Sequence, residues 1–207
     1  MPHKSNISKI NIYSALSGCY FPPDENLNVF LDQLEQNIGS WIPEAQKLVI
    51  SMIAELQNQE NGLTELTLEY SRLFLGPFEV LAPPFGSVYL NPNKKMVMDE
   101  TTNDVVDLYL RAGLDVDENF NNLPDHITAE LEFMHYLYFQ LHAALSEDKK
   151  DQADEFQKLK TDFFRNHLGK WGITFTDKVR ENAQMDFYRR LGQVTRMVLS
   201  AEAGEHA

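Results

Sequence analysis

Asp125, His126 and Glu130 follow Pro124 within six residues, and in this 207-residue chain they are the side chains best suited to chemistry by type and spacing. His126 and Glu130 stand four apart, so on a helix they share a face, and an imidazole beside a carboxylate there suits metal ligation. Two ligands do not complete a site, and no cluster of His or Cys lies near them in sequence. If Pro124 marks a helix start, Asp125 and His126 take on a different chemistry. The positive end of the helix dipole stabilises the Asp125 carboxylate and opposes protonation of His126, leaving a neutral imidazole beside a charged acceptor. The plainer alternative makes Asp125 the N-cap and His126 an exposed first-turn residue. His135 and His142, seven apart, share a face and read as helix-surface or interface residues. The sequence carries no glycine-rich phosphate loop, no HExxH pair and no nucleophile elbow. The expectation is therefore no catalysis, no metal and no cofactor. A small helical metal enzyme using Asp125, His126 and Glu130 is the alternative, and an acidic structural adaptor the third reading.

A second segment is unusual for the opposite reason. LFLGPFEVLAPPFGSVYLNP, Leu73 to Pro92, holds four of the nine prolines and two glycines, interleaved with Phe74, Phe78, Phe85 and Tyr89. Such density of Pro and Gly predicts an irregular loop, yet loops are normally polar because their backbone stays solvated. Either this is an Ω-like excursion packed by its own aromatics, or it is a preformed apolar surface with free backbone groups, suited to holding a peptide. Proline narrows the loop's unfolded ensemble, so ordering it costs less.

The elements that must position these residues are helical. Ile7–Tyr20 reads as a first helix with Ile12, Leu16 and Cys19 on one face, stopped by Pro22-Pro23. Asp24 caps a second, with Leu27, Phe30, Leu31, Leu34 and Ile38 along one face. Pro43 opens a third, to about Gln57, and Thr64 a fourth, carrying Leu66, Tyr70, Leu73 and Phe74 as far as Gly76-Pro77. A fifth runs from Thr101 or Thr102 to near Gly113. The longest starts at Asp125 and reaches about Leu145, with Ile127, Leu131, Met134, Tyr138 and Leu141 as its buried stripe. After a polar break at Ser146–Asp151, one helix ends near Leu168 and a last one spans about Thr176 to Ala203. No alternating strand pattern, repeat or low-complexity segment is present. The reading is an all-α single domain over residues 1–207, with a possible hinge at 146–151 through which a monomer and a domain-swapped dimer could interconvert.

Composition narrows the partners. Eighteen basic residues against 31 acids give a net charge of −13, which disfavours nucleic acid and anionic membranes. From Asp99 to Glu132 there are ten acids and a single base, Arg111, a field able to steer a cationic ligand. A single cysteine, Cys19, allows no intrachain disulfide and fits a reducing compartment. No apolar run approaches the roughly 18 residues that span a bilayer. Leu16–Cys19 (LSGC), with Lys4 and Lys9 upstream, has the form of a lipoprotein cleavage site, but the apolar stretch before it is short and interrupted.

Three blocks together resemble the TorD/DmsD family of cytoplasmic redox-enzyme maturation chaperones. YSRLFLGPFEVLAPPFGSVYL (Tyr70–Leu90) is similar to the first family signature, an aromatic-x-R-L-F-x-G-P segment followed by P-P-W-G-S-V-x-L. NNLPDHITAELEFMHYL (Asn121–Leu137) is similar to the second, centred on Asp-His. HLGKWGITFTDKV and FYRRLGQVTRMVL (His167–Val179, Phe187–Leu199) resemble the closing helices. The likeness covers about two-thirds of the chain, and the first sixty residues or so agree only in helical pattern. Phe85 stands where the family usually has Trp. The resemblance implies a TorD-like helical bundle in the cytoplasm, without catalysis. It implies binding of the twin-arginine signal peptide and apo form of a molybdenum-cofactor oxidoreductase subunit, with assistance to cofactor insertion and delay of export. It places Tyr70, Phe74, Pro84, Phe85, Gly86, Ser87, Tyr89, Asp125, His126 and Glu130 in the peptide-binding groove. Carboxylates would take the guanidinium groups and aromatics the apolar segment that follows.

Overall fold

The structure, a computed structural model, describes residues 2–58, 62–76, 79–91, 100–114 and 123–205, the side chains of residues 2–5 and 100 excepted. Helices α1 (Pro2–Cys19), α2 (Leu27–Ile38) and α3 (Pro43–Asn58) lead to α4 (Gly62–Tyr70), which runs straight into a π-helical turn, Ser71–Leu75. The short α5 (Gly86–Leu90) and α6 (Glu100–Arg111) precede the long α7 (Ile127–Ser146). Then come α8 (Lys150–Asn166), α9 (Leu168–Asn182) and α10 (Asp186–Glu205). Among the described residues there is no strand, and the extended pairing is one isolated bridge, Phe85 to His126. The all-α expectation holds, and none of the described helices is long and apolar enough to cross a membrane.

α1 lies between α2 and α7 and is wrapped on most sides. Ile12, Tyr13, Ala15, Leu16, Ser17, Cys19 and Tyr20 are all buried, so no single stripe describes it. A helix enclosed this way needs apolar or partnered residues around its circumference rather than one face. Leu16–Cys19 is therefore core, and burial pushes the Cys19 thiol up to about 12. Lys4, the other half of the cleavage-site pattern, has its side chain outside the described residues.

The C-terminal region departs from the sequence expectation. Instead of a break between about Leu168 and Thr176, helix runs through that stretch as α9, and the interruption falls at Ala183–Met185. The cause is a partner far away in sequence. The Glu69 carboxylate accepts the backbone N–H groups of Gln184 at 2.6 Å and Met185 at 3.4 Å, the free donors at the start of α10. Arg72 grips both sides of this joint, donating to Glu69 at 2.7 and 2.8 Å and to the Asn182 carbonyl at 2.5 Å. Glu69 is held below the usual carboxylate range: burial acts against ionisation, but Arg72 and the two amides outweigh it. The π turn carries Arg72, and Gly76, at φ 52°, lets the chain leave it toward Ala82, whose N–H returns to the Leu73 carbonyl at 2.9 Å.

Tyr70 and Phe74, expected in the groove, are buried in an aromatic cluster of the core. Phe74 lies 5.1 Å from Tyr70, 5.8 Å from Tyr188 and 6.1 Å from both Tyr20 and Phe175, ring centre to ring centre. Truncating such a ring removes its burial and leaves a cavity. Phe74→Ala is expected to lower the unfolding free energy in urea by about 3–5 kcal/mol. A loss under about 1 kcal/mol would show that Phe74 is not packed in the core.

Candidate functional site at the loop–helix joint

The joint between the proline-rich segment and α7 is made by backbone first. Gly86 N–H donates to the Asp125 carbonyl and Ile127 N–H to the Pro84 carbonyl, each at 2.8 Å, which forms the Phe85–His126 bridge. The Tyr109 hydroxyl of α6 fixes the approach to this turn by donating to the Pro124 carbonyl at 2.7 Å. The segment called irregular from its Pro and Gly content therefore turns helical over Gly86–Leu90 once docked.

Neither signature side chain takes the role that the plain helix-start reading gives it. Asp125 does not cap α7. Its carboxylate reaches across to accept Ser87 N–H at 2.8 Å, at the start of α5. His126 is the N-cap of α7: its Nδ1 accepts Thr128 N–H at 3.2 Å and lies 2.7 Å from the Thr128 hydroxyl. Nδ1 thus faces two donors and carries no proton, which leaves the proton on Nε2. The Phe85 ring stands edge-on to the imidazole, 5.1 Å between centres.

Beneath this layer, Glu130 is fully buried and accepts the Trp171 indole N–H at 3.0 Å. Tyr89 stacks on Trp171 at 5.6 Å and 21°. Gly86 must be glycine here, since a Cβ would fall 2.9 Å from Trp171 Nε1 and 3.2 Å from Glu130 Oε1. Burial pushes the Glu130 carboxyl well up, opposed by the Trp171 hydrogen bond and reinforced by the Asp125 charge. Burial pushes His126 down to about 4, against the pull of Asp125. Four buried polar atoms at this joint have no hydrogen-bond partner among the described residues: Asp125 Oδ1, Glu130 Oε1, Ser87 Oγ and Tyr89 Oη.

A family model described as nitrate reductase delta subunit matches residues 24–177, which contain both signature segments and Trp171. This chain belongs to the nitrate reductase delta subunit family. It is similar to Chaperone protein TorD of Vibrio parahaemolyticus, 27% identical and covering 80% of this chain and 74% of the relative. It is also similar to Tat proofreading chaperone DmsD of Salmonella typhimurium, 26% identical with 87% and 81% covered. In fold it matches a structure assigned as a redox enzyme maturation protein from Archaeoglobus fulgidus, at a TM-score of 0.57 and 20% identity, covering 95% of this chain and 93% of the other. The resemblance drawn from the three sequence blocks is thereby supported independently.

Of the ten residues expected together in this family member, eight meet at the joint: Pro84, Phe85, Gly86, Ser87, Tyr89, Asp125, His126 and Glu130. Tyr70 and Phe74 stand one layer deeper, linked to Tyr89 through Phe175. In the expected groove the polar members are covered and the outer apolar ones partly exposed. Asp125, His126 and Glu130 are buried, while Phe85, Val88 and Tyr89 are partly exposed. His126 and Glu130 do not pair as metal ligands, and among the described residues no group of three or more His, Cys, Asp or Glu could hold a metal ion. Pro77, Phe78 and Pro92 lie outside the described residues, as do Asp99, Asp115, Asp117 and Glu118 of the acidic span. Within that span Asp104, Asp107 and Glu132 face solvent, whereas Asp125 and Glu130 do not. Trp171 is the residue sequence reasoning left unmarked, although it stood inside the third block.

The imidazole makes the joint sensitive to acid. The unfolded chain takes up a proton near the ordinary value of 6.5, and the folded chain resists until about 4. Stability from this source is complete above pH 6.5 and is lost as pH falls toward 4, about 2 kcal/mol of it between about pH 7 and pH 5. Glu130 has the opposite sign, because its raised value favours the folded state at low pH. The check is therefore a difference: urea unfolding of the wild type and His126→Gln near pH 7 and pH 5, with a smaller acid loss in the variant. Equal losses would place His126 in contact with solvent.

Proposed function

We propose that this chain is a cytoplasmic maturation chaperone for a molybdenum-cofactor oxidoreductase subunit, without chemical turnover of its own. It binds the subunit's twin-arginine signal peptide at the loop–helix joint, holds the apo form for cofactor insertion and delays its export. Membership of the family and the similar relatives named as chaperones support the general reading.

The observation that carries the site is the set of unspent acceptors at the joint. Asp125 uses Oδ2 to hold Ser87 and keeps Oδ1 without a hydrogen bond. A guanidinium can take that oxygen while the Ser87 contact remains, and a charge-assisted bond in a dry site is a strong one. Phe85, Val88 and Tyr89, half-exposed above it, offer an apolar surface for the segment that follows the arginines. Phe85 and Tyr89 swing outward to admit the peptide, while the short backbone bridge stays in place. Exposed Asp104, Asp107 and Glu132 supply attraction at longer range.

Asp125→Asn separates positioning from charge, because an amide oxygen still accepts Ser87 N–H. It is expected to leave the urea midpoint nearly unchanged and to weaken a twin-arginine peptide about tenfold or more by calorimetric titration. Raising the salt, or replacing both peptide arginines with lysine, is expected to weaken the wild type as well. Affinity indifferent to Asp125→Asn, to salt and to the lysine peptide would remove Asp125 from the binding surface.

A further inference from the structure

A second polar cluster lies among α1, α7, α8 and α10 and shares no residue with the joint. Lys9 of α1 and Lys160 of α8 are both buried, and their ammonium groups converge on the Tyr138 hydroxyl at 3.3 and 3.0 Å. Lys9 also lies 4.2 Å above the Trp41 ring, and Lys160 4.3 Å above that of Tyr138. One buried carboxylate answers the two cations. Glu202 stands 3.2 Å from Lys160 and 3.9 Å from Lys9, and accepts the Tyr138 hydroxyl at 2.7 Å and the Tyr13 hydroxyl at 3.1 Å. The second negative charge comes from Glu205, which pairs with Lys9 although its own side chain is 45% exposed.

A cavity of about 330 Å³ opens beside Glu205 and Lys160, lined by these two and Tyr138 with Leu141, Leu145 and Ala153 as apolar wall. Asp154, Gln157 and Asn6 complete the lining.

We propose that this cavity binds a monocarboxylate carried on a short apolar body, whose carboxylate takes the place of Glu205, the partner of Lys9, and sits beside Lys160 in the lining. Charge count sets the valence. Among the described residues two buried ammonium groups face one buried carboxylate and the half-exposed Glu205, so a ligand that displaces Glu205 restores the balance with one negative charge and not two. The side chain now supplying it is half in solvent and sits in the last turn of α10, where helix ends fray. Leu141, Leu145 and Ala153 then select an apolar body over a sugar or nucleotide, and the volume is that of a small ligand. A free acid and the C-terminal carboxylate of a peptide share this chemistry.

Octanoate is the probe, titrated into the full chain while the NMR signals of Lys160 and Tyr138 are followed. Both signals are expected to shift with octanoate and not with octanol. Glu205→Gln removes the competing carboxylate and is expected to tighten octanoate about tenfold, and octanoate should raise its melting temperature more than that of the wild type. Leu145→Asp places a charge on the exposed part of the lining and is expected to weaken octanoate about tenfold. Competition by N-acetyl-Leu-Leu as free acid, but not as amide, would assign the peptide terminus as the source. Octanoate binding without such competition would assign a free acid. Silent Lys160 and Tyr138 signals in both wild type and Glu205→Gln, equal binding of octanol, or no tightening in Glu205→Gln would overturn the proposal.

Discussion

The contact between the Asp125 carboxylate and Ser87 N–H, with the two backbone hydrogen bonds of the Phe85–His126 bridge beside it, joins two segments across 38 residues of sequence. The short α5 depends on it, because five residues cannot sustain a helix in water without tertiary support. Docking of α5 in turn sets Tyr89 on Trp171 and brings Gly86 against Glu130. The proline-rich segment is apolar because it is built to lie on α9, α6 and the first turn of α7. Its outer side leaves Phe85, Val88 and Tyr89 partly exposed.

Much of this was legible in the sequence, and the failures share a cause. The helices, the proline and glycine stops and the two signature segments all follow from local periodicity and backbone chemistry. Where the wrong answer came out, a residue remote in sequence had decided it. Asp125 has the ideal type for an N-cap, but its carboxylate is taken by Ser87, and His126 caps the helix instead. Ala183–Met185 carries no Pro or Gly to mark a break, since the free amides there are satisfied by Glu69. The pattern in α1 looked like one stripe because Tyr13, Ser17 and Tyr20 are amphipathic, and each finds its hydroxyl partner only after folding. Trp171 gave no signal beyond its type, because its role is defined by Glu130 and Tyr89.

Buried charge is handled in two different ways. Around Glu202 the interior is ionic, with carboxylate, lysines and tyrosines converging. At the joint, by contrast, burial pushes the Glu130 carboxyl up and the His126 imidazole down, each toward its neutral form, while Asp125 keeps one oxygen without a hydrogen bond. In the proposed role, a buried site of this kind would favour a cation that brings its own hydrogen-bond donors. Arginine would fit that role better than lysine because its planar fork can serve an oxygen and a ring face at once.

The central claim is that the peptide is held at this joint. Amide hydrogen exchange with and without a saturating twin-arginine peptide tests it most directly. The account predicts slower exchange across residues 84–91 and 123–130, with the ends of α8 and α10 unchanged. Unaltered exchange at Gly86, Ser87 and Ile127, with new protection appearing elsewhere on the bundle, would contradict it.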